Sequence, residues 1–403
     1  KRNAVEKYLA ERLGPLLQIQ EDELRAAAPA TVRQQIETLE AKIADTRSRM
    51  ESYYRIQAFW DTSRPPRFFL FERGEFEQPG PAVAPGFVRV MQAAESAVTI
   101  TGRDGEDSGY RLALARWLVQ PEHPLTARVY VNRVWQRYFS VGIVATPDNF
   151  GQSGAEPTHP ALLDRLAVEF VRSGWDVKQL HRAIVTSAAY RQTTSPLDGK
   201  AVARAQRQDG GNRLLWKMPL RRLESGVIRD RILWTSNHLN RRIGGPPVPL
   251  APLPDGKVVI DIKKLSSPSD EYRRSIFVLA RRNYHLTQLN VFDQPVLAHN
   301  CTRRDASAGV SQSLAMFNSD FVRKHAGLVA ARILSHVESR QPQELATRAF
   351  EMVLQRPPET EELRDAVGFL GATKTLLDRE KASAKLADFC HVLLNTSEFI
   401  YAH

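Results

Sequence analysis

Leu125-Thr126-Ala127-Arg128-Val129-Tyr130-Val131-Asn132-Arg133-Val134-Trp135-Gln136-Arg137-Tyr138-Phe139 reads as one amphipathic helix. Val131, Val134, Trp135 and Tyr138 return at three- and four-residue intervals, so they share one face. Pro121 and Pro124 separate this helix from an upstream one predicted over residues 109–119, with Ser108 as its cap and Leu112, Ala115 and Leu118 inward. On the downstream side a Gly-rich loop leads to Thr158-His159-Pro160. Proline suits a first helical turn because the N–H it lacks would be unpaired there. Leu162, Leu163, Leu166 and Phe170 supply that helix's buried face, Gly174 ends it, and Asp176 caps another helix predicted over 177–190. Four helices on short links pack as a bundle. The expected fold class is mainly α: a multi-helix, bundle-like domain with a few short strands and an extended Pro/Gly-rich arm.

The rest of the chain divides around this block. Residues 1–60 read as linking helices, with Val5, Leu9 and Leu13 in register until Gly14-Pro15, then Ile36, Leu39, Ile43 and Met50 on a charged stretch. Residues 61–107 read as an extended arm punctuated by Pro and Gly, with a strand-like run over 67–71 and several phenylalanines that need an apolar surface. Residues 108–403 form the helical domain, with possible sub-units over 108–200 and 212–403. Within it, 195–211 reads as a polar loop and 219–239 as a helix. Strands are expected at 257–262, 275–280 and 284–286, then helices at 312–318, 320–336, 345–354, 360–377 and 385–394.

The chain has 403 residues, of which 42% are hydrophobic and 25% charged, an ordinary soluble composition that argues against disorder or a collagenous chain. No apolar run approaches the ~18 residues of a membrane span. Fifty-six basic residues against 45 acidic ones give +11, yet the excess is scattered in doublets such as Arg221-Arg222 and Arg303-Arg304. Arginine outnumbers lysine, and its planar fork suits internal carboxylate and carbonyl pairing. A nucleic-acid partner is therefore not expected. The two cysteines, Cys301 and Cys390, cannot staple a disulfide framework. The chain opens on Lys1 inside a helical pattern, which reads as the C-terminal part of a longer protein.

Enzyme signatures fail in turn. Ala387 stands where a haem-attachment motif ending in Cys390-His391 would need its first cysteine, and Ser153 lies in Gln-Ser-Gly rather than a nucleophile elbow. The chain has neither a dinucleotide fingerprint nor a phosphate-binding glycine loop. His299 and Cys301 stand two apart but make no coordination set, so no metal and no cofactor is expected in this segment. No catalytic residue is assigned. Two polar clusters remain as candidate sites. One lies on the opening helix and the loops after it: Arg128, Asn132 and Arg133, with Asp148 and His159. The other runs through Asp293, Cys301, Arg303, Arg304, Gln312 and Asn318. Such groups in apolar surroundings form either a satisfied buried network or the lining of a pocket.

At these residues the chain resembles a known family. Arg111-Leu112-Ala113-Leu114-Ala115-Arg116-Trp117-Leu118, His123-Pro124-Leu125-Thr126-Ala127-Arg128, Val131-Asn132-Arg133-Val134-Trp135, Asp148-Asn149-Phe150-Gly151, Gly174-Trp175, Ser187-Ala188-Ala189-Tyr190-Arg191 and the segment 301–318 occur in order. Together they resemble the C-terminal domain, of unknown function, of a planctomycete secreted-protein family. The resemblance implies an extracytoplasmic protein with upstream domains, often a cytochrome-c-like one, so that haem c would sit upstream of this segment. It also implies a neighbouring secreted protein resembling the sulfatase and alkaline-phosphatase superfamily as a possible partner. No catalytic role carries over. The leading expectation is a non-catalytic structural or interaction domain that docks on partner domains or on copies of itself. The alternatives are an accessory domain of a haem-c protein and a module that binds or processes acidic polysaccharide.

Overall fold

The computed structural model describes residues 3, 5–6, 26–50, 58, 67–91, 109–196, 198–295, 301–302, 304, 307–339, 341–371 and 376–402. Two compact units are distinguished: Lys1–Val83 with Thr101–Gly109, and Ala84–Ile100 with Tyr110–His403. The fold is mainly α, with three two-stranded antiparallel sheets among the described residues. No helix is long and apolar enough to cross a membrane among those residues.

In the first unit, helix α1 (Ala30–Arg49) buries none of its residues, as its charged composition requires. In the arm, the strand-like run expected over 67–71 is a strand. Strands β1 (Phe68–Phe71) and β2 (Pro79–Val83) pair antiparallel, and all four β1 side chains are exposed. Leu9, Leu13 and Gly14-Pro15 of the first expected helix, and Ser108 as a cap, lie outside the described residues.

In the second unit, α2 (Tyr110–Leu118) is rotated from its expected orientation. Ala113 and Trp117 are buried, whereas Leu112, Ala115 and Leu118 face outward. The reason is aromatic: Phe87 stacks on Trp117 at 5.1 Å and His123 meets its edge at 4.5 Å, so the largest apolar side chain turns inward. His123 Nδ1 in turn accepts from the backbone N–H of Thr126 at 3.2 Å, where α3 (Thr126–Phe139) begins.

Helix α3 buries Ala127, Val131, Asn132, Val134, Trp135 and Phe139. It packs on α4 (Pro160–Arg172), whose Leu163, Leu166, Ala167 and Phe170 are buried, and Tyr130 stacks on Phe170 at 5.0 Å. Gly174 ends α4 in the left-handed conformation (φ 72°), and the Trp175 N–H reaches back to the Phe170 carbonyl. Asp176 caps α5 (Val177–Val185) by accepting from the Gln179 N–H at 3.0 Å; the helix stops five residues short of its expected end.

The polar stretch read as a loop contains α6 (Gly199–Gln208), whose N-cap Asp198 accepts from Lys200 and Ala201 N–H groups. Its alanines and long polar side chains favour a helix, and it buries nothing, so no apolar stripe announced it. Where one helix was expected over 219–239, a two-residue strand β3 (Arg221–Arg222) precedes α7 (Ser225–Thr235). Strand β4 (Leu250–Pro252) pairs with β5 (Val258–Ile260) around Gly256. Residues 275–280 and 284–286 are not strands: Ser275–Phe277 is a single 3-10 turn, and Val278 makes only an isolated bridge to Val248.

Short α8 (Thr287–Val291) leads toward a second helical cluster of α9 (Val310–Asn318), α10 (Asp320–His336), α11 (Pro342–Leu354), α12 (Thr360–Leu370), α13 (Leu376–Leu394) and α14 (Ser397–Ile400). Helix α12 ends at Leu370, seven residues before the expected 377, because Gly371 after it takes φ 68°. Val329, Ile333, Ala346, Leu386 and Leu394 form the centre of this core. The chain finishes in β6 (Tyr401–Ala402), which pairs back on β3.

Buried arginines serve as carbonyl clamps, as their fork geometry suits. Arg229 donates to the Arg273 and Glu271 carbonyls at 2.8 Å each, and Arg273 donates to those of Pro246 and Gly244. Burial draws the Arg229 guanidinium down to about 10, partly offset by Asp230 and Glu271.

Candidate functional site: a cationic pocket

Two polar segments far apart in sequence line one cavity of about 460 Å³. Helix α3 contributes Tyr130, Arg133, Gln136 and Arg137; the loop after α8 contributes Asp293, Cys301, Thr302 and Arg304. Between them stand β3 and the start of α7, with Arg221, Arg222 and Glu224. That middle wall is positioned by the chain end: Arg221 pairs with Ala402, Arg222 with Tyr401, and the Leu223 N–H donates to the Ile400 carbonyl.

Arg222 anchors the floor. Its side chain is 5% exposed and its guanidinium donates to the Ser307 carbonyl, the Phe292 carbonyl and Asp293 Oδ2, the last at 2.7 Å. Asp293 sits in the left-handed region (φ 58°), which turns its carboxylate toward Arg222 and Ser307. Burial opposes its ionisation, but hydrogen bonds from Ser307 and Arg222 prevail and hold its carboxyl below the usual range. Gln312, buried behind the floor, donates to Ser307 Oγ at 3.0 Å. At the rim, Glu224 bridges two walls: Arg137 donates to one oxygen at 2.5 Å and Arg304 to the other.

The lining therefore carries five guanidinium groups (Arg133, Arg137, Arg221, Arg222, Arg304) against two carboxylates, both already ion-paired. Arg133 is exposed and makes no ion pair among the described residues. Val134, Leu223 and Phe292 give the cavity an apolar side. Arg222 Nε and Ser140 Oγ are buried without a protein partner among the described residues, and both residues line the cavity. Such a surface attracts an anion carried on an apolar stem.

The candidate residues separate by this geometry. Arg133, Asp293, Cys301 and Arg304 line the pocket, and Gln312 supports it. Arg128 instead pairs with Asp164 at 2.6 Å, outside the lining. Asn132 is fully buried and clamps the loop after α3: its Nδ2 donates to the Val144 carbonyl at 3.0 Å and its Oδ1 accepts from the Val144 N–H at 2.8 Å. Asp148 is exposed away from the cavity, and His159 pairs with Thr158 at the start of α4. Asn318 is exposed at the end of α9, and Arg303 and His299 lie outside the described residues. Arg137, Arg222 and Glu224 are additional lining residues. The doublet Arg221-Arg222 was visible in the sequence, but nothing local pointed it at α3. No group of three or more metal-ligating side chains occurs among the described residues.

No curated protein and no solved structure matches the chain. Residues 110–370 match the family described as PSD1: Protein of unknown function (DUF1553), which covers more than half of the chain and every residue lining the pocket. The chain belongs to that family.

Proposed function

We propose that this is a non-catalytic interaction domain of an exported protein, which docks an acidic segment of a partner domain or partner protein in the cationic pocket. The observation that carries the reading is the five guanidinium groups against two pre-paired carboxylates around a cavity with an apolar side. Planar guanidinium forks pair with carboxylates two donors at a time, which suits electrostatic recognition of an acidic group. The resemblance adds a place outside the cytoplasm beside upstream domains, with haem c upstream where one of them is cytochrome-c-like. A visible spectrum of the longer protein before and after dithionite tests that placement.

The direct test is fluorescence anisotropy of a labelled oligoglutamate peptide titrated with the purified chain. Binding that weakens steeply with added salt and drops several-fold in Arg133→Gln is expected, because this guanidinium has no intramolecular ion pair among the described residues to lose. Equal binding by the wild type and Arg133→Gln sinks the reading.

A further inference from the structure

Glu224 is the N-cap residue of α7, yet its side chain does not cap that helix. Instead its carboxylate lies between Arg137 of α3 and Arg304 of the opposite wall, one oxygen to each. It is 30% exposed at the rim of a cavity whose cations otherwise outnumber their counter-ions. A planar carboxylate held between two arginine forks is itself a picture of what the site accepts.

We propose that the pocket selects a carboxylate-bearing peptide segment, and that Glu224 is a built-in competitor which the ligand's carboxylate displaces from Arg137 and Arg304. The inference rests on the pocket being the docking site. Three features favour an acidic peptide over a sulfated sugar. The bridging group is planar and carboxylic, the two forks already hold it from opposite walls, and Val134, Leu223 and Phe292 offer an apolar side for an aliphatic stem. Displacement leaves Glu224 free to turn to solvent and replaces one carboxylate with another. The two walls stay bridged throughout.

The test is the oligoglutamate titration repeated on Glu224→Gln, with Glu169→Gln as a charge-matched control. Glu169 pairs only with Arg165 on the exposed side of α4 among the described residues. Removing the competing charge is expected to tighten binding about five-fold or more in Glu224→Gln, because the ligand then displaces no ionised group from Arg137 and Arg304. Glu169→Gln should bind as the wild type does. Peptide affinity in Glu224→Gln that is unchanged or weaker, while Arg133→Gln still weakens it, overturns the competitor and leaves the docking site standing. Binding indifferent to Arg133→Gln in both backgrounds removes the docking site and this inference with it. A heparin oligosaccharide that gains more from Glu224→Gln than the peptide does overturns the choice of a carboxylate peptide. Thermal unfolding of each variant shows whether a loss of binding is a loss of fold.

Discussion

The stability of the second unit should fall in mild acid because of one buried imidazole. His325, on α10, is 0% exposed. Ser236 Oγ donates to the Leu233 carbonyl at 3.1 Å, so at 2.7 Å from His325 Nδ1 it accepts the ring proton. The other ring nitrogen, Nε2, is buried with no partner among the described residues. Phe321 packs on the ring at 4.5 Å, with Tyr272 and His238 around it. Burial pushes this group down from 6.5 to about 4, with the positive fields of His238, Lys324 and Arg229 adding to the effect. Between those two values the unfolded chain binds a proton that the folded chain refuses. Stability therefore declines as pH falls through this window and is unaffected above it. The gap, at ~1.4 kcal/mol per unit, amounts to about 3 kcal/mol. The assay is urea unfolding followed by tryptophan fluorescence across the window, comparing the wild type with His325→Leu. The wild type should lose about 3 kcal/mol more than the variant between neutral pH and pH ~4. Parallel decline of both proteins would refute the assignment, because the acid sensitivity would then belong to other groups. Asp293 and Glu362 act in a separate window. Their lowered carboxyls contribute stability above the usual carboxylate range that is lost only as pH falls through their folded values.

Asn132→Ala should cost about 2–4 kcal/mol in the same unfolding assay, because it strands the buried N–H and C=O of Val144. Gly142→Ala should be comparably damaging: an added Cβ would stand 2.5 Å from Asn132 Nδ2 and 2.6 Å from the Val144 carbonyl oxygen. Arg356 joins Glu362 and Glu398 through four hydrogen bonds of 2.7–2.8 Å. Arg356→Lys should lose about 1–2 kcal/mol, since an ammonium cannot span both carboxylates with paired donors, and part of that loss should disappear at high salt. Of the two thiols, exposed Cys301 should react with a maleimide in the folded protein, whereas buried Cys390 should react only on unfolding, because burial raises its thiol. Reaction of two thiols at one rate in the native protein would contradict that burial.

The helical character of the chain was legible because helix signals are local. The three- and four-residue return of Val131, Val134 and Trp135 describes a face whatever packs on it. Gly174 and Asp176 likewise perform their stop and cap within a few residues of themselves. The misreadings have an equally physical source. Helix α6 buries nothing, so it has no apolar stripe to see, and α2 turned toward Trp117 because Phe87 and His123 came to meet it.

Composition and periodicity by themselves determined a mainly α chain and the position of most helices, since those depend on neighbours along the backbone. Two polar clusters were also evident from residue type alone. That Arg133 of the first shares a cavity with Asp293, Cys301 and Arg304 of the second was decided only in three dimensions. Arg221 and Arg222 are held against Tyr401 and Ala402 by a strand pair spanning nearly half the chain, and this puts Arg222 on Asp293 and Glu224 between Arg137 and Arg304. The same packing assigned Asn132 to a loop clamp and left Asp148 and Asn318 at the surface. Charge and hydrogen-bonding capacity belong to a residue, but whether they are satisfied internally or offered to a ligand depends on what the fold brings within 3 Å of them.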